Sequence, residues 1–523
     1  LYNNGLYTEA LEYCELVYEL DAHRTDNLLL LGAIHFQLRN YSESIFYNQQ
    51  SIRVDPNFAE GYSNLGNALK EIGDLESAIQ FYLKAIKLKP RYSDAYNNLA
   101  SVYVQLNRTK EAIETYEMAL TINPGLVDTH SNLGNLYKAF GNFDIAKKCY
   151  LEAIRIKPDF AIAWSNLAGV FKDEGDLTTA IGYYKEALRL SPEFADAHSN
   201  LGNAYRDLGQ IDEAKTCYEI AVRLRPNFAI AHGNLATCYY DQGDLPKAIQ
   251  SFKHAIQLEP NFPDAHNNLA NALKEIGRLD EAILSYRLAL KLKPDHPYAY
   301  SNLGNALKDK GLFKEAIHCY VTAVRILPNF AAAHSNLASL LKEQGNLEQA
   351  ISHYKEAIKI DSNFVDAYSN LGNVYKDIGL IEEAMTCYFT AIKIKPNYAE
   401  AHANLAASYK DTNRIIEAIE SYRIALSYKP DLSDALCNLI HSLVFICDWK
   451  DRDEHFAKLS QLLSIQLSKT VNSIDTNINI TLPSIQPFHA LVYPLSMSEM
   501  LQISQRYALK AKLNISISEH VAQ

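Results

Sequence analysis

The stretch Pro192–Arg225, PEFADAHSNLGNAYRDLGQIDEAKTCYEIAVRLR, decides how the rest of the chain is read. It reads as two helices, the first from about Ala195 to Leu208 and the second from about Ile211 to Leu224. Gly209 ends the first, because a residue without Cβ enters the left-handed backbone region at little cost. Pro226 stops the second, having no N–H to donate and a ring that blocks helical continuation.

The same phrase recurs along the chain. Proline stands every 34 residues at Pro56, Pro90, Pro124, Pro158, Pro192, Pro226, Pro260, Pro294 and Pro328, skips at Ser362, and resumes at Pro396 and Pro430. The turn glycine recurs from Gly73 to Gly379, with Asn107 and Asn413 in its place in two units, asparagine being the next residue to tolerate left-handed backbone. In the second helix two alanine series, from Ala78 to Ala418 and from Ala85 to Ala425, flank an aromatic that runs from Tyr82 to Tyr422 with Phe252 as its one phenylalanine. Small residues let helices approach closely and the ring fills the space beside them, so these series are scaffold. A helix-turn-helix of this period is that of tetratricopeptide repeats. One helix pair cannot bury its apolar face alone, so the units must stack. The expected fold is all-α, a right-handed superhelical solenoid with a long inner groove. Residues 1–21 read as a partial repeat, 22–429 as twelve repeats of 34 residues, and 430–470 as a degenerate last repeat and transition helix, the unit after Pro430 dissolving beyond Ile446. Because Leu1 falls in the middle of a unit, the chain is expected to be a fragment.

Composition excludes several functions. The formal charge is -11, from 50 basic and 61 acidic side chains, and no basic stripe invites nucleic acid. The apolar run Leu28 to Phe36 is far too short to span a bilayer. Cys149, Cys217, Cys319 and Cys387 share one repeat position, too far apart for disulfides, and read as small buried hydrophobes in a reducing compartment. No CxxC or His/Cys cluster suggests a metal. The sequons at Asn107, Asn479 and Asn514 read as chance matches.

One polar series is invariant. Eight residues after each unit boundary stands Asn64, Asn98, Asn132, Asn166, Asn200, Asn234, Asn268, Asn302, Asn336, Asn370, Asn404 or Asn438. Asparagine is a mediocre helix former, so the first helix does not require it. A side-chain amide can bond both C=O and N–H of a passing peptide. A row of them would grip an extended chain by its backbone, with about 0.5–1.5 kcal/mol per bond and little regard to sequence. The competing reading is that the amides bond neighbouring repeats and only stabilise the stack. One helical turn earlier stand Glu60, Asp94, Asp128, Asp196, Asp264, Asp366, Glu400 and Asp434. They share a face with the amides and would favour Ser, Thr or basic side chains. Alternatively they are a solvated face near helix N-termini, where acids are stabilising in any case.

The repeats end in Ile446-Cys447-Asp448-Trp449-Lys450, a charged helix to about Lys469, then Leu482-Pro483-Ser484-Ile485-Gln486-Pro487-Phe488-His489-Ala490 and Tyr493-Pro494-Leu495. The unbroken asparagine series with this tail resembles the nucleocytoplasmic O-linked N-acetylglucosamine transferases, the Gln-Pro-Phe-His wording being more like their plant and protist branch. The resemblance implies a concave asparagine ladder that holds substrate backbone, with Asn200, Asn234, Asn268, Asn302, Asn336, Asn370, Asn404 and Asn438 as peptide-binding residues. Those from Asn302 onward stand nearest the catalytic region, and Asp264, Asp366, Glu400 and Asp434 are the accompanying acids. It implies UDP-GlcNAc as donor, Ser and Thr of nuclear and cytoplasmic proteins as acceptors, and a possible homodimer through the repeats. Residues 471–523 would be a linker and the truncated start of an α/β glycosyltransferase domain, with His489 a candidate catalytic residue. The chain has no sugar-nucleotide site of its own and is expected to be inactive alone. Other readings are a non-enzymatic interaction scaffold or a protein O-fucosyltransferase. A clamp for acidic C-terminal tails fits poorly, since Ser63, Asn97, Ser131, Ser165 and Ser199 stand where it would carry lysine.

Overall fold

The computed structural model describes residues 1–468, 482–490 and 493–521, without the side chains of 468, 488, 489 and 512–521. The described residues form helices joined by turns, with no strand among them. Two compact units divide the chain, Leu1–Lys247 and Ala248–Gln523.

Each unit is built from one module. Helix A always has 13 residues and helix B 14, from the pair Thr25–Gln37 and Tyr41–Val54 to the pair Ala399–Asp411 and Ile415–Tyr428. The quoted stretch forms Ala195–Asp207 and Ile211–Leu224. Gly209 sits at φ 82°, its N–H bonding Arg206 O at 2.9 Å, while Gln210 N bonds Tyr205 O at 2.9 Å. That pair of bonds satisfies carbonyls which the helix end would orphan. Asn107 and Asn413 take the same conformation at φ 57° and 62°, and so does Arg39 at φ 60° in the irregular first unit. The fold is a tetratricopeptide solenoid of stacked helix pairs.

The core follows the two alanine series. Ala214, Tyr218 and Ala221 are fully enclosed, and the ring of Tyr218 lies against Gly202, where a Cβ would come within 2.7 Å of it. Gly66, Gly134, Gly304 and Gly372 meet their tyrosines in the same way. Burial pushes the thiols of Cys149, Cys217, Cys319 and Cys387 up to about 11, so they pack as uncharged groups.

The unit after Pro430 keeps a helix pair beyond Ile446. Ser433–Phe445 is followed by a longer turn, with Cys447 at φ 55° and Asp451 at φ 58°, and then by Arg452–Ser468. Helix A of this unit offers Leu436, Cys437 and Ile440, against which Phe456, Leu459, Leu463, Ile485, Tyr493 and Ile503 pack. Gln466 ties the seam: its Nε2 donates to Ser433 Oγ and Ser484 Oγ, and its Oε1 accepts from Ser484 N at 3.0 Å. The Leu482-Pro483-Ser484-Ile485 segment is thereby seated on the last repeat.

Candidate functional site

All twelve asparagines of the series lie on helix A and all are half-buried. Their hydrogen bonds divide them. In the N-terminal unit Asn98 Nδ2 donates to Asn67 Oδ1 (2.9 Å), Asn166 to Ser131 Oγ (3.2 Å) and Asn234 to Asn203 Oδ1 (3.1 Å), each partner lying in the preceding repeat. Asn132 stands by the Tyr116 hydroxyl of the preceding repeat and lowers its pKa against the larger rise that burial causes. In the C-terminal unit Asn302 donates to Asn267 Oδ1 (3.2 Å) and Asn404 to Ser369 Oγ (3.4 Å). Asn268 accepts from Asn267 at 3.0 Å. Asn438 bonds the Asp434 carbonyl at 3.0 Å and takes Lys410 Nζ on its Oδ1 at 3.0 Å. Among the described residues Asn64, Asn200, Asn336 and Asn370 make no such bond.

The stacking role is therefore real for Asn98, Asn166, Asn234, Asn302 and Asn404, which use one N–H of each amide for it, and for Asn438, which uses its Oδ1. Asn302, Asn336, Asn370 and Asn404, in four consecutive repeats, have no hydrogen bond to Oδ1 from the described residues. Each presents an acceptor and at least one donor, the complement of a peptide group.

A second asparagine series, unread in the sequence, stands three residues further along helix A. Asn67, Asn135, Asn203, Asn271, Asn305 and Asn373 accept from the hydroxyls of Tyr82, Tyr150, Tyr218, Tyr286, Tyr320 and Tyr388, all at 2.6–2.7 Å. A buried hydroxyl without an acceptor is costly, and this series supplies one. Two networks run on: Tyr82 to Asn67 to Asn98, and Tyr218 to Asn203 to Asn234. The fixed interval of 15 residues between the tyrosine and its asparagine was the available signal.

The acids are largely engaged. Glu60 takes Lys89 at 2.7 Å, Glu400 takes Lys429 at 2.8 Å, and Asp196 is gripped by both Nη atoms of Arg225 at 3.1 and 2.6 Å. Each cation directly follows helix B of the same repeat, and the lysine ammonium holds Glu60 and Glu400 below the usual carboxylate range. Asp264 meets His296 Nε2 at 3.1 Å, and Asp366 accepts the Tyr398 hydroxyl at 2.7 Å. Asp94, Asp128 and Asp434 lie exposed, their carboxylates unbonded among the described residues.

Ion pairs also join successive A helices. Lys138–Asp173 and Lys172–Asp207, both at 3.2 Å, serve the N-terminal unit. Lys274–Asp309, Lys308–Glu343, Lys342–Asp377 and Lys376–Asp411, at 2.7–3.0 Å, serve the C-terminal one. His489 lies in the short Pro487–Ala490 helix, its side chain outside the described residues. Among the described residues no group of three or more His, Cys, Asp and Glu could hold a metal, and no helix is long and apolar enough to cross a membrane.

Comparison with known proteins agrees with the module. Tetratricopeptide family models match residues 47–80, 66–107, 93–126, 127–160, 372–413 and 399–432, and the model for the C-terminal domain of cilia and flagella-associated protein 70 matches 161–364. A probable UDP-N-acetylglucosamine–peptide N-acetylglucosaminyltransferase of Arabidopsis thaliana is 47% identical over 70 residues, 13% of this chain and 7% of that protein. The Caenorhabditis elegans enzyme of that name is 46% identical over 69 residues, 13% of this chain and 6% of its own. The matched stretch thus spans less than a tenth of either relative. A chain in the crystal structure of the APC/C hetero-tetramer Cut9–Hcn1 aligns over 82% of this chain and 98% of its own, at 16% identity and a TM-score of 0.47. By helix geometry and by family model, the chain carries tetratricopeptide repeats, a fold that generally serves as a protein-interaction scaffold.

Proposed function

We propose that this chain is the substrate- and partner-recognition region of a protein O-GlcNAc transferase, holding extended protein segments by their backbone on the A helices. The observation that carries this is the set Asn302, Asn336, Asn370 and Asn404, half-buried on one helix position with amide oxygens unused by the described residues. The local identity to two N-acetylglucosaminyltransferases supports the same reading. Under it, UDP-GlcNAc is the donor of the whole protein, and its acceptors are Ser and Thr in flexible segments of nuclear and cytoplasmic proteins. His489 belongs to the catalytic side, and the repeats are available for self-association. Asp366 and Asp434 bias the bound segment toward basic and hydroxyl side chains.

The test is titration of flexible Ser/Thr-rich peptides against the native chain and an Asn336→Ala/Asn370→Ala double variant. Neither amide bonds the described residues, so helicity and melting should hold while affinity falls about tenfold or more, two amides each losing up to two bonds. Unchanged affinity, or a melting point that falls with it, would make the asparagines structural and defeat the proposal.

A further inference from the structure

The position one turn before each ladder asparagine is acidic in most repeats, and the exceptions are apolar and open to solvent. In the N-terminal unit Ile162 and Ile230 are 47% and 50% exposed there, with Asp196 between them. In the C-terminal unit the order is Asp264, Tyr298, Ala332, Asp366. Tyr298 is 54% exposed, and its ring stands edge-on to Phe330 at 4.9 Å between centroids and to His296 at 6.2 Å. Phe330 is half-buried just ahead of helix A of the next repeat, so the aromatic contact spans two repeats. Tyr298 shares its helix face with Asn302, whose amide oxygen takes no bond from the described residues.

An exposed tyrosine offers a broad apolar face at small entropic cost, two torsions being all it must fix. Placed beside amide groups, it meets the two needs of a proline in an extended segment. The pyrrolidine ring packs on aromatic surface, and the backbone carbonyl, which lacks an internal partner in polyproline geometry, takes an amide N–H. Acids flank the window on both sides. Asp264, its carboxyl held below the usual range by the bond to His296, stands on one side, and Asp366, which accepts the Tyr398 hydroxyl, on the other. Neighbouring A helices lie about 8–10 Å apart and an extended polyproline segment rises about 3.1 Å per residue, so one repeat reads about three residues.

We propose that Tyr298 and Phe330 form a proline-reading subsite within the amide row, selecting extended segments with a proline between basic residues, about three residues from one and about six from the other. The inference rests on the proposed use of Asn302 and its neighbours as a backbone grip. It adds side-chain selection to a device that by itself ignores sequence.

The test uses the full chain and two labelled Ser/Thr-rich peptides with lysines at those spacings, identical except for proline or alanine at the central position. Fluorescence anisotropy should show the native chain preferring the proline peptide by about five- to tenfold, the yield of burying part of one ring face. Tyr298→Ala, at an exposed position, should erase the preference and leave alanine-peptide affinity within about twofold. Equal affinity of the native chain for both peptides, or a preference that survives Tyr298→Ala, would overturn the subsite. If both peptides bind equally and the Asn336→Ala/Asn370→Ala variant loses both, the amide grip stands and the aromatic window alone falls. If neither binds the native chain, both proposals fail.

Discussion

In the repeat at 192–225 the Tyr218 hydroxyl donates to Asn203 Oδ1 at 2.7 Å, and Asn234 of the next repeat donates to the same oxygen at 3.1 Å. In the repeat at 396–429 the equivalent hydroxyl, Tyr422, is buried without a partner among the described residues, because Ala407 stands where Asn203 would be. Both rings are enclosed, and burial raises both phenols above their usual range. The apolar packing is shared; the polar closure is not. The aromatic series is therefore set by volume, and the hydroxyl is an added obligation that each repeat meets or leaves unmet. The largest expected effect breaks the closed case. Asn203→Ala should destabilise the repeat by about 1–3 kcal/mol, since it strands a buried hydroxyl and an amide N–H together. Local hydrogen exchange of the 192–225 helices would show it, and protection equal to native would mean that water satisfies Tyr218.

The open case should answer with the opposite sign. Tyr422→Phe removes an orphaned hydroxyl while keeping the ring, so the C-terminal repeats should gain up to about 1 kcal/mol. Tyr218→Phe deletes a satisfied bond and should lose about 1 kcal/mol. Thermal melts of the two variants beside the native chain decide it. Two shifts of the same sign would mean that phenylalanine is judged on hydrophobicity alone and that the asparagine contributes nothing. Phe252 already stands in the series, in the repeat whose helix A carries Thr237 at the asparagine position.

The helix ends were legible because two residue types have few other uses. Gly209 and Asn413 mark left-handed turns that most side chains avoid, and Pro226 marks a helix end by its missing N–H. Arg39 and Cys447 hold the same left-handed backbone with no such signature, imposed by the helices on either side. The asparagine ladder was legible as a series but not as a set of bonds. Asn98, Asn166, Asn234, Asn302 and Asn404 bond an Asn or Ser 31 or 35 places back, yet Asn336 has Asn305 and Ser301 at those places and among the described residues bonds neither, so residue identity alone does not announce the bond. The acids were harder. Nothing in the spacing announces that helix A of a repeat meets the residue just after its own helix B, so the pairing of Asp196 with Arg225, 29 residues on, needed the folded chain.

That same pairing sharpens the comparison, because both repeats have it. Asp196 with Arg225 and Glu400 with Lys429 occupy corresponding places, so the difference between the two tyrosines does not come from how the helix pair is closed at its other end. Its own contribution is visible in acid. Lys429 holds the Glu400 carboxyl below its usual range, the folded value lying under the unfolded one. Stability from this pair is therefore fully present above the ordinary carboxylate pKa near about 4.3 and is lost as pH falls through the lower, folded value. Both partners are solvent-exposed, so the effect should be the smallest of the three and should shrink with added salt. Glu400→Gln should lower the melting temperature slightly at pH 7, and the deficit should shrink as the pH falls below the ordinary carboxylate range. A deficit that persists undiminished in acid would assign the loss to side-chain packing, not charge, and the pair would cease to be common electrostatic ground between the two repeats.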